Sequence, residues 1–188
     1  MIGVWLLIIH SWHLGLDVLI NNAGILRAET LVNMTSEAFE TSMNVNVRSA
    51  LLLTQASVKY LEASTIKAIV NVSSISGLRA YLGALAYKLS KSAMDQLTRC
   101  TALELAPKGI RVNSVNPGAI DTEIFSKSGM SEEEIRVYFE KCKTTHPIGR
   151  IGTSLEVAKC IAFLASSDAS FVCGQTLAVD GGRSTQCP

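Results

Sequence analysis

The sequence predicts an α/β protein: a Rossmann-like, doubly wound and mostly parallel sheet layered by helices. Three observations predict it. Short apolar runs rich in β-formers alternate with longer helical stretches along most of the chain. Those apolar runs lack polar alternation, which suits strands covered on both faces. Polar and glycine-bearing clusters recur where the runs end, and open α/β sheets hold their ligands at the carboxyl ends of strands.

Residues 1–9 (MIGVWLLII) form an unbroken apolar run. Nine residues cannot cross a bilayer, which takes about 20 in a helix. No Lys or Arg precedes the run and no small-residue cleavage site follows, so a short buried strand is expected rather than a signal. His10 and His13 lack a partner cluster and read as polar loop residues; no metal site is expected. Residues 17–21 read as a strand covered on both faces. Residues 36–63 carry helical periodicity, including Leu51, Leu52, Leu53 and Leu61. Residues 68–72 are a second buried strand and 73–83 a loop. A long helix is expected over 84–105, with Ala93, Leu97, Thr101 and Leu105 on one stripe. Pro107-Lys-Gly109 ends it, and 110–115 form a third strand closed by Asn116-Pro-Gly118. Ser131-Glu-Glu-Glu134 is a capping box that starts a short helix. Residues 154–165 are a further helix, and 175–179 the last strand, before Asp180-Gly-Gly182.

No linker, repeat or charge block divides the chain, so residues 1–188 form one domain. Residues 1–15 are an atypical amino-terminal segment, and 119–153 a more polar, irregular region. At 188 residues and 48% hydrophobic content the chain has ample apolar surface to offset chain entropy, which excludes a disordered or low-complexity polymer. A net charge of +1 calls for no nucleic-acid backbone. Five cysteines, widely spaced and without a C-x-x-C pair, suit reduced thiols in a cytoplasmic compartment.

Tyr87 and Lys91 stand four apart in the long helix and share a face. An ammonium near a phenol stabilises phenolate, and such a tyrosine can exchange a proton with a substrate oxygen. Thirteen residues before Tyr87 lies Ser74, at the end of the second strand. Asn46 lies 28 residues before Ser74, within Met43-Asn-Val-Asn-Val47. Asn-Asn-Ala-Gly at 21–24 precedes them, and Asn-Pro-Gly at 116–118 follows, with Thr122 beyond.

In that order and spacing the set resembles the short-chain dehydrogenase/reductase superfamily, in particular its single-domain cytosolic members. The resemblance runs from about residue 16 to 183. It implies an oxidoreductase that moves a hydride between a nicotinamide cofactor, NAD or NADP, and a carbonyl or secondary alcohol. Tyr87 would be the acid–base. Lys91 would hold the nicotinamide ribose and lower the Tyr87 pKa, and Ser74 would hydrogen-bond the substrate oxygen. Asn46, preferred to Asn44 on spacing, would fix a water linking Lys91 to solvent. Asn21, Ala23 and Gly24 would line the cofactor, with Asn22 tying strands together instead. Pro117, Gly118, Ile120 and Thr122 would contact the nicotinamide and its phosphate, and 119–153 would form a substrate lid whose apolar members include Ile124, Phe125, Met130 and Phe139. The helices at 44–63 and 84–105 resemble those that pair family subunits, which implies a homo-oligomer. Neither a nucleic acid nor a membrane is an expected partner.

The sequence departs from the family at one place. It contains no Thr-Gly-x-x-x-Gly-x-Gly turn, the element that seats a phosphate at a helix amino end. An amino-terminal truncation is therefore expected, with the family's first three strands missing and the later ones retained. Losing three charge-assisted hydrogen bonds would weaken cofactor binding by about three to six powers of ten. The same departure supports an alternative, a catalytically impaired fragment or isoform that acts only by association. Residues 4–9 are expected to cover the edge of the strand at 17–21.

Overall fold

The computed structural model describes residues 16–186; the proposed edge cover by residues 4–9, and His10 and His13, lie outside the described residues. Four strands, β1 (Val18–Asn21), β2 (Ala68–Val72), β3 (Arg111–Pro117) and β4 (Thr176–Val179), form one parallel sheet in that order. The helices are α1 (Ser36–Met43), α2 (Ser49–Leu61), α3 (Leu85–Leu105), α4 (Glu132–Thr145) and α5 (Ser154–Ala165). They flank both faces, but β1 departs from the expected strand covered on both sides: Leu19 and Asn21 are buried toward α2 and α3, whereas Val18 and Ile20 on the other face are half-buried and line a cavity. Leu19, Leu61, Ile69, Ala102, Ile110 and Val112 form the core on the α2/α3 side, and Val70, Val115, Val157 and Leu164 the core on the α5 side.

Strand pleating decides what the sheet offers on each face. On the α2/α3 side the amino-terminal half of each strand is apolar (Leu19, Ile69, Val112), and the carboxyl end is polar (Asn21, Asn71, Ser114, Asn116). All four polar residues are buried. They are affordable there because they bond one another and the helices: Asn21 Nδ2 donates to Asn71 Oδ1 (2.8 Å) and Thr54 Oγ1 (3.3 Å), and Asn71 Nδ2 donates to Thr98 Oγ1 (2.9 Å). One row of side chains thus links α2, β1, β2 and α3 just beneath the strand ends.

Leu61 is fully buried at the end of α2 and belongs to the larger core. Leu61→Ala is expected to lower the unfolding free energy by about 3 kcal/mol, as transfer and cavity terms add; urea denaturation of the full chain measures it.

The structure refines several expectations. Residues 36–63 are not one uniform helix: a π-helical segment, Asn44–Arg48, separates α1 from α2, with Ser49 N–H donating to the Asn44 carbonyl. The widened turn is the kind of local irregularity found at functional sites. The loop at 73–83 contains a 3₁₀ turn, Ile75–Gly77, capped by the Ser74 hydroxyl, which accepts from Ser76 N–H. Capping boxes open α4 (Ser131/Glu134) and α5 (Thr153/Glu156). The four described cysteines are free thiols, Cys100 exposed and Cys142 buried. Among the described residues no helix is long and apolar enough to cross a membrane.

Candidate active site

A cavity of about 1380 Å³ opens at the carboxyl ends of β1, β2 and β3. Ser74, Tyr87, Lys91, Gly24, Pro117, Gly118, Ile120 and Thr122 all line it, so residues nearly 100 positions apart meet on one surface. Ser74 arrives on the turn after β2. Its carbonyl accepts from Asn116 Nδ2 (2.9 Å), and its hydroxyl accepts from Ser76 N–H (3.1 Å) and donates to the Pro117 carbonyl (3.5 Å). That turn approaches α3 closely enough that a Cβ on Gly77 would lie 2.8 Å from the Lys91 carbonyl carbon and oxygen.

Tyr87 and Lys91 lie one turn apart in α3, as their spacing dictates. The Lys91 ammonium sits 5.5 Å from the Tyr87 ring centroid and donates to the Val72 carbonyl (2.8 Å). Burial pulls the Lys91 pKa down to about 8, with Asp95 opposing the shift. Asp95, one turn further on, is itself held by Asn116 Nδ2 at 3.0 and 3.1 Å, and burial raises its carboxyl. The phenol departs from expectation. Burial pushes the Tyr87 pKa up, and the counteracting influence is a hydrogen bond from Ser74, not the ammonium. Lys91 reaches over the ring to a main-chain carbonyl, so in this structure Tyr87 is a neutral hydroxyl, half-buried in the cavity wall.

Lys91 makes a pH prediction with a definite sign. Its folded pKa lies below its unfolded value, so between about pH 8 and 10.5 the unfolded chain binds the extra proton. Its contribution to stability therefore rises across that window. In urea denaturation, the wild type minus Lys91→Met difference in unfolding free energy is expected to grow with pH there; a flat or falling difference contradicts the burial of a titrating ammonium.

Asn46 is fully buried in the π-helical segment, whereas Asn44 is exposed. Its Oδ1 accepts from Ile25 N–H (2.8 Å), and its Nδ2 donates to the Ile25 carbonyl (3.0 Å) and Ser90 Oγ (2.8 Å). Both amide hydrogens are thereby used. Asn46 does not line the cavity; its side chain clamps the irregular segment that follows β1, at Ile25 next to Gly24. A Cβ on Gly24 would lie 3.5 Å from both Asn46 Oδ1 and Lys91 Nζ.

Two further placements correct the sequence reading. The Asn21 side chain turns into the sheet and makes the strand-tying bonds expected of Asn22, while Asn22 lines the cavity. The pleat requires this, since Asn21 falls on the Leu19 face and Asn22 on that of Val18 and Ile20. Ala23 is not among the cavity-lining residues. In the region 119–153, Ile124, Phe125 and Met130 line the cavity, whereas Phe139 packs edge-on against Phe125 with ring centroids 5.0 Å apart.

Sequence reasoning missed four cavity residues, Tyr81, Tyr138, Cys142 and Arg183, and the buried His146. His146 Nε2 accepts from Ala119 N–H (3.2 Å), while Nδ1 lies 2.7 Å from the Cys142 carbonyl and so carries the proton. That neutral ring braces the backbone after Gly118, where a Cβ would lie 2.9 Å from Nε2. The available signal was Asp180-Gly-Gly182: Gly181 and Gly182 take φ of 59° and 84°, a reversal that returns the chain to the cavity.

The chain matches the enoyl-(acyl carrier protein) reductase family model over residues 7–184. It is 41% identical over 167 residues to a 3-oxoacyl-[acyl-carrier-protein] reductase of Thermotoga maritima, covering 89% of this chain and 65% of that protein. It is 40% identical to a cyclopentanol dehydrogenase of Comamonas testosteroni at the same coverage. The chain thus spans about two thirds of the length of these relatives. The ligand-free aldohexose dehydrogenase of Thermoplasma acidophilum superposes with a TM-score of 0.85 at 35% identity, covering 93% of this chain and 70% of that one. A gluconate 5-dehydrogenase from Burkholderia cenocepacia, solved with NADP and tartrate, gives 0.84 at 29% identity, covering 92% and 66%.

Proposed function

The chain belongs to the short-chain dehydrogenase/reductase superfamily, and from that premise we propose that it is a nicotinamide-dependent oxidoreductase acting on a carbonyl or secondary alcohol. The observation that carries the reading is the convergence of Ser74, Tyr87 and Lys91 on one cavity wall at the strand ends. The nicotinamide half of a dinucleotide fits the residues present. Gly24 leaves the approach to Lys91 open, and Pro117, Gly118, Ile120 and Thr122 line the cavity beyond it. Lys91 would hold the ribose hydroxyls with the donors not engaged by Val72. When bound, the cofactor supplies or accepts the hydride.

The protein's own groups manage the oxygen. The neutral Tyr87 hydroxyl gives its proton to the carbonyl oxygen as charge develops there, or takes it back in the oxidative direction. Ser74 donates to the same oxygen and steadies the developing charge. The apolar surroundings that raise the phenol's pKa strengthen both interactions by excluding water. Lys91, if turned from Val72 toward Tyr87 on holding the ribose hydroxyls, would oppose that rise and poise the phenol for proton exchange. Asn46 positions the Gly24–Ile25 backbone, and 119–153 supplies the mobile cover over the substrate.

Titration of the full chain with NADH and NADPH, followed by assay on a ketone panel, tests the reading. Saturable binding of either nucleotide with Tyr87-dependent turnover supports it. No saturation at millimolar levels favours a second reading, for which one observation speaks: the sequence has no glycine-rich phosphate turn. In that case the chain acts by association, through exposed apolar residues of α2 and α3 such as Leu52, Leu89 and Leu103.

A further inference from the structure

Resting on the oxidoreductase reading of the same cavity, we propose that Arg183 is its specificity-determining residue and selects substrates that carry a carboxylate at a distance from the reacting carbonyl. Arg183 opens the short turn after β4 and lines the cavity. Its Nη1 donates to the carbonyl of Thr145, the last residue of α4, at 3.0 Å. That bond anchors one corner of the guanidinium at the end of α4. Among the described residues, Nε and Nη2 have no hydrogen-bond partner, and no carboxylate forms an ion pair with the side chain. The free edge is the one that takes a carboxylate side-on through two parallel hydrogen bonds.

The nearest candidate counter-ion is already committed. The Asp180 carboxylate accepts from Gly182 N–H (3.0 Å) and Ser184 N–H (2.6 Å), which shapes the turn that presents Arg183. Four charged residues line the cavity: Lys91, Glu134, Lys141 and Arg183. Glu134, the lone anion of that set, is tied to the Ser131 N–H and hydroxyl, each at 2.8 Å. Around Arg183 the neutral groups are Tyr81, Tyr138 and Cys142, whose pKa values are raised by burial, and the one further charge that acts on Cys142 beside Arg183 is a second cation, Lys141. A half-buried cation with no ion-pair partner and a second cation nearby is complementary to an anion.

The geometry also separates this cation from the chemistry. Lys91 belongs to the strand-end wall with Tyr87, whereas Arg183 is stapled to the end of α4. Tyr81 lines the same cavity within electrostatic reach of both Arg183 and Tyr87, and the aromatic pair Phe125 and Tyr138, with centroids 5.3 Å apart, adds apolar wall. The ligand class that fits is an oxo- or hydroxy-carboxylic acid with an apolar segment between its two ends.

The experiment compares 4-oxo-4-phenylbutanoate with its uncharged primary amide, titrated calorimetrically into the full chain and then supplied as substrates. The wild type is expected to bind the carboxylate about 10- to 100-fold more tightly than the amide. Arg183→Gln is expected to bring that ratio close to one, and Arg183→Lys, which keeps the charge without the fork, to leave an intermediate ratio. If Arg183→Gln fails to fold, as judged by circular dichroism, the ratio in Arg183→Lys decides alone. A wild-type ratio near one, a ratio unchanged by the substitutions, or no binding of either ketone overturns the assignment. Carboxylate-selective binding without reduction of either ketone would overturn the oxidoreductase reading instead and leave the Arg183 site standing.

Discussion

Tyr87→Phe is expected to lower turnover by about 10²- to 10⁴-fold, the range for loss of a positioned general acid–base. The substitution removes one hydroxyl from a half-buried ring that stays packed against the Lys91 ammonium. The fold should therefore be unchanged by circular dichroism, and nucleotide affinity should shift little, because the proton is moved only in the reaction. The loss should fall on kcat more than on KM, the signature of an interaction made in the transition state. Turnover within a few-fold of wild type would mean that another group handles the proton. Of the other cavity phenols, Tyr81 is engaged with Ser76 and faces Lys88, which leaves it poorly placed to substitute.

Gly77→Ala is expected to destabilise the protein by about 3 kcal/mol, at the upper end of the usual range for overpacking. At 2–4 °C per kcal/mol for a domain of this size, the thermal midpoint should fall by roughly 6–12 °C. The reason is what the added methyl would meet. It would sit 2.4 Å from Asp95 Oδ2 and 2.8 Å from the main-chain carbon and oxygen of Lys91. A flexible side chain could yield; the helix backbone cannot without moving α3. The turn carrying Ser74 must therefore lift away from Tyr87 and Lys91, so activity should fall along with stability. Gly83→Ala is the contrast. No atom lies within 4 Å of its added Cβ, and its φ of 77° leaves only left-handed strain, about 1 kcal/mol. Equal midpoints for the two variants would show that Gly77 is not packed as described.

These effects trace to residues with very different visibility in the sequence. The strand at 68–72 is legible because it is a short apolar run ending in a polar cluster, and the third strand, expected over 110–115 and observed at Arg111–Pro117, because Pro107-Lys-Gly109 and Asn116-Pro-Gly118 bracket it. Tyr87 and Lys91 are legible because a four-residue spacing in a helix fixes their shared face whatever surrounds them. The exchange of Asn21 and Asn22 is not. β1 is apolar at Val18, Leu19 and Ile20, so no alternation says which of the next two side chains turns inward. The π-helical turn at Asn44–Arg48 is equally hidden, because slipping one hydrogen bond leaves no mark on apolar periodicity. Arg183 reaches the cavity, and His146 packs behind the backbone at Gly118, only because Gly181 and Gly182 reverse the chain against the end of α4. That contact is tertiary, and no local pattern encodes it. The direction of the Tyr87 pKa is hidden for a related reason. Spacing brings the ammonium near the ring, but only the fold shows that it donates to Val72.

Ser74 and Tyr87 are held to act on a single substrate oxygen, and a double-mutant cycle on kcat tests that most directly. If the two hydroxyls serve one atom at one step, Ser74→Ala and Tyr87→Phe should be strongly non-additive, with the double variant no more than about threefold slower than Tyr87→Phe alone. Losses that multiply, or a wild-type chain with no turnover to lose, would contradict it.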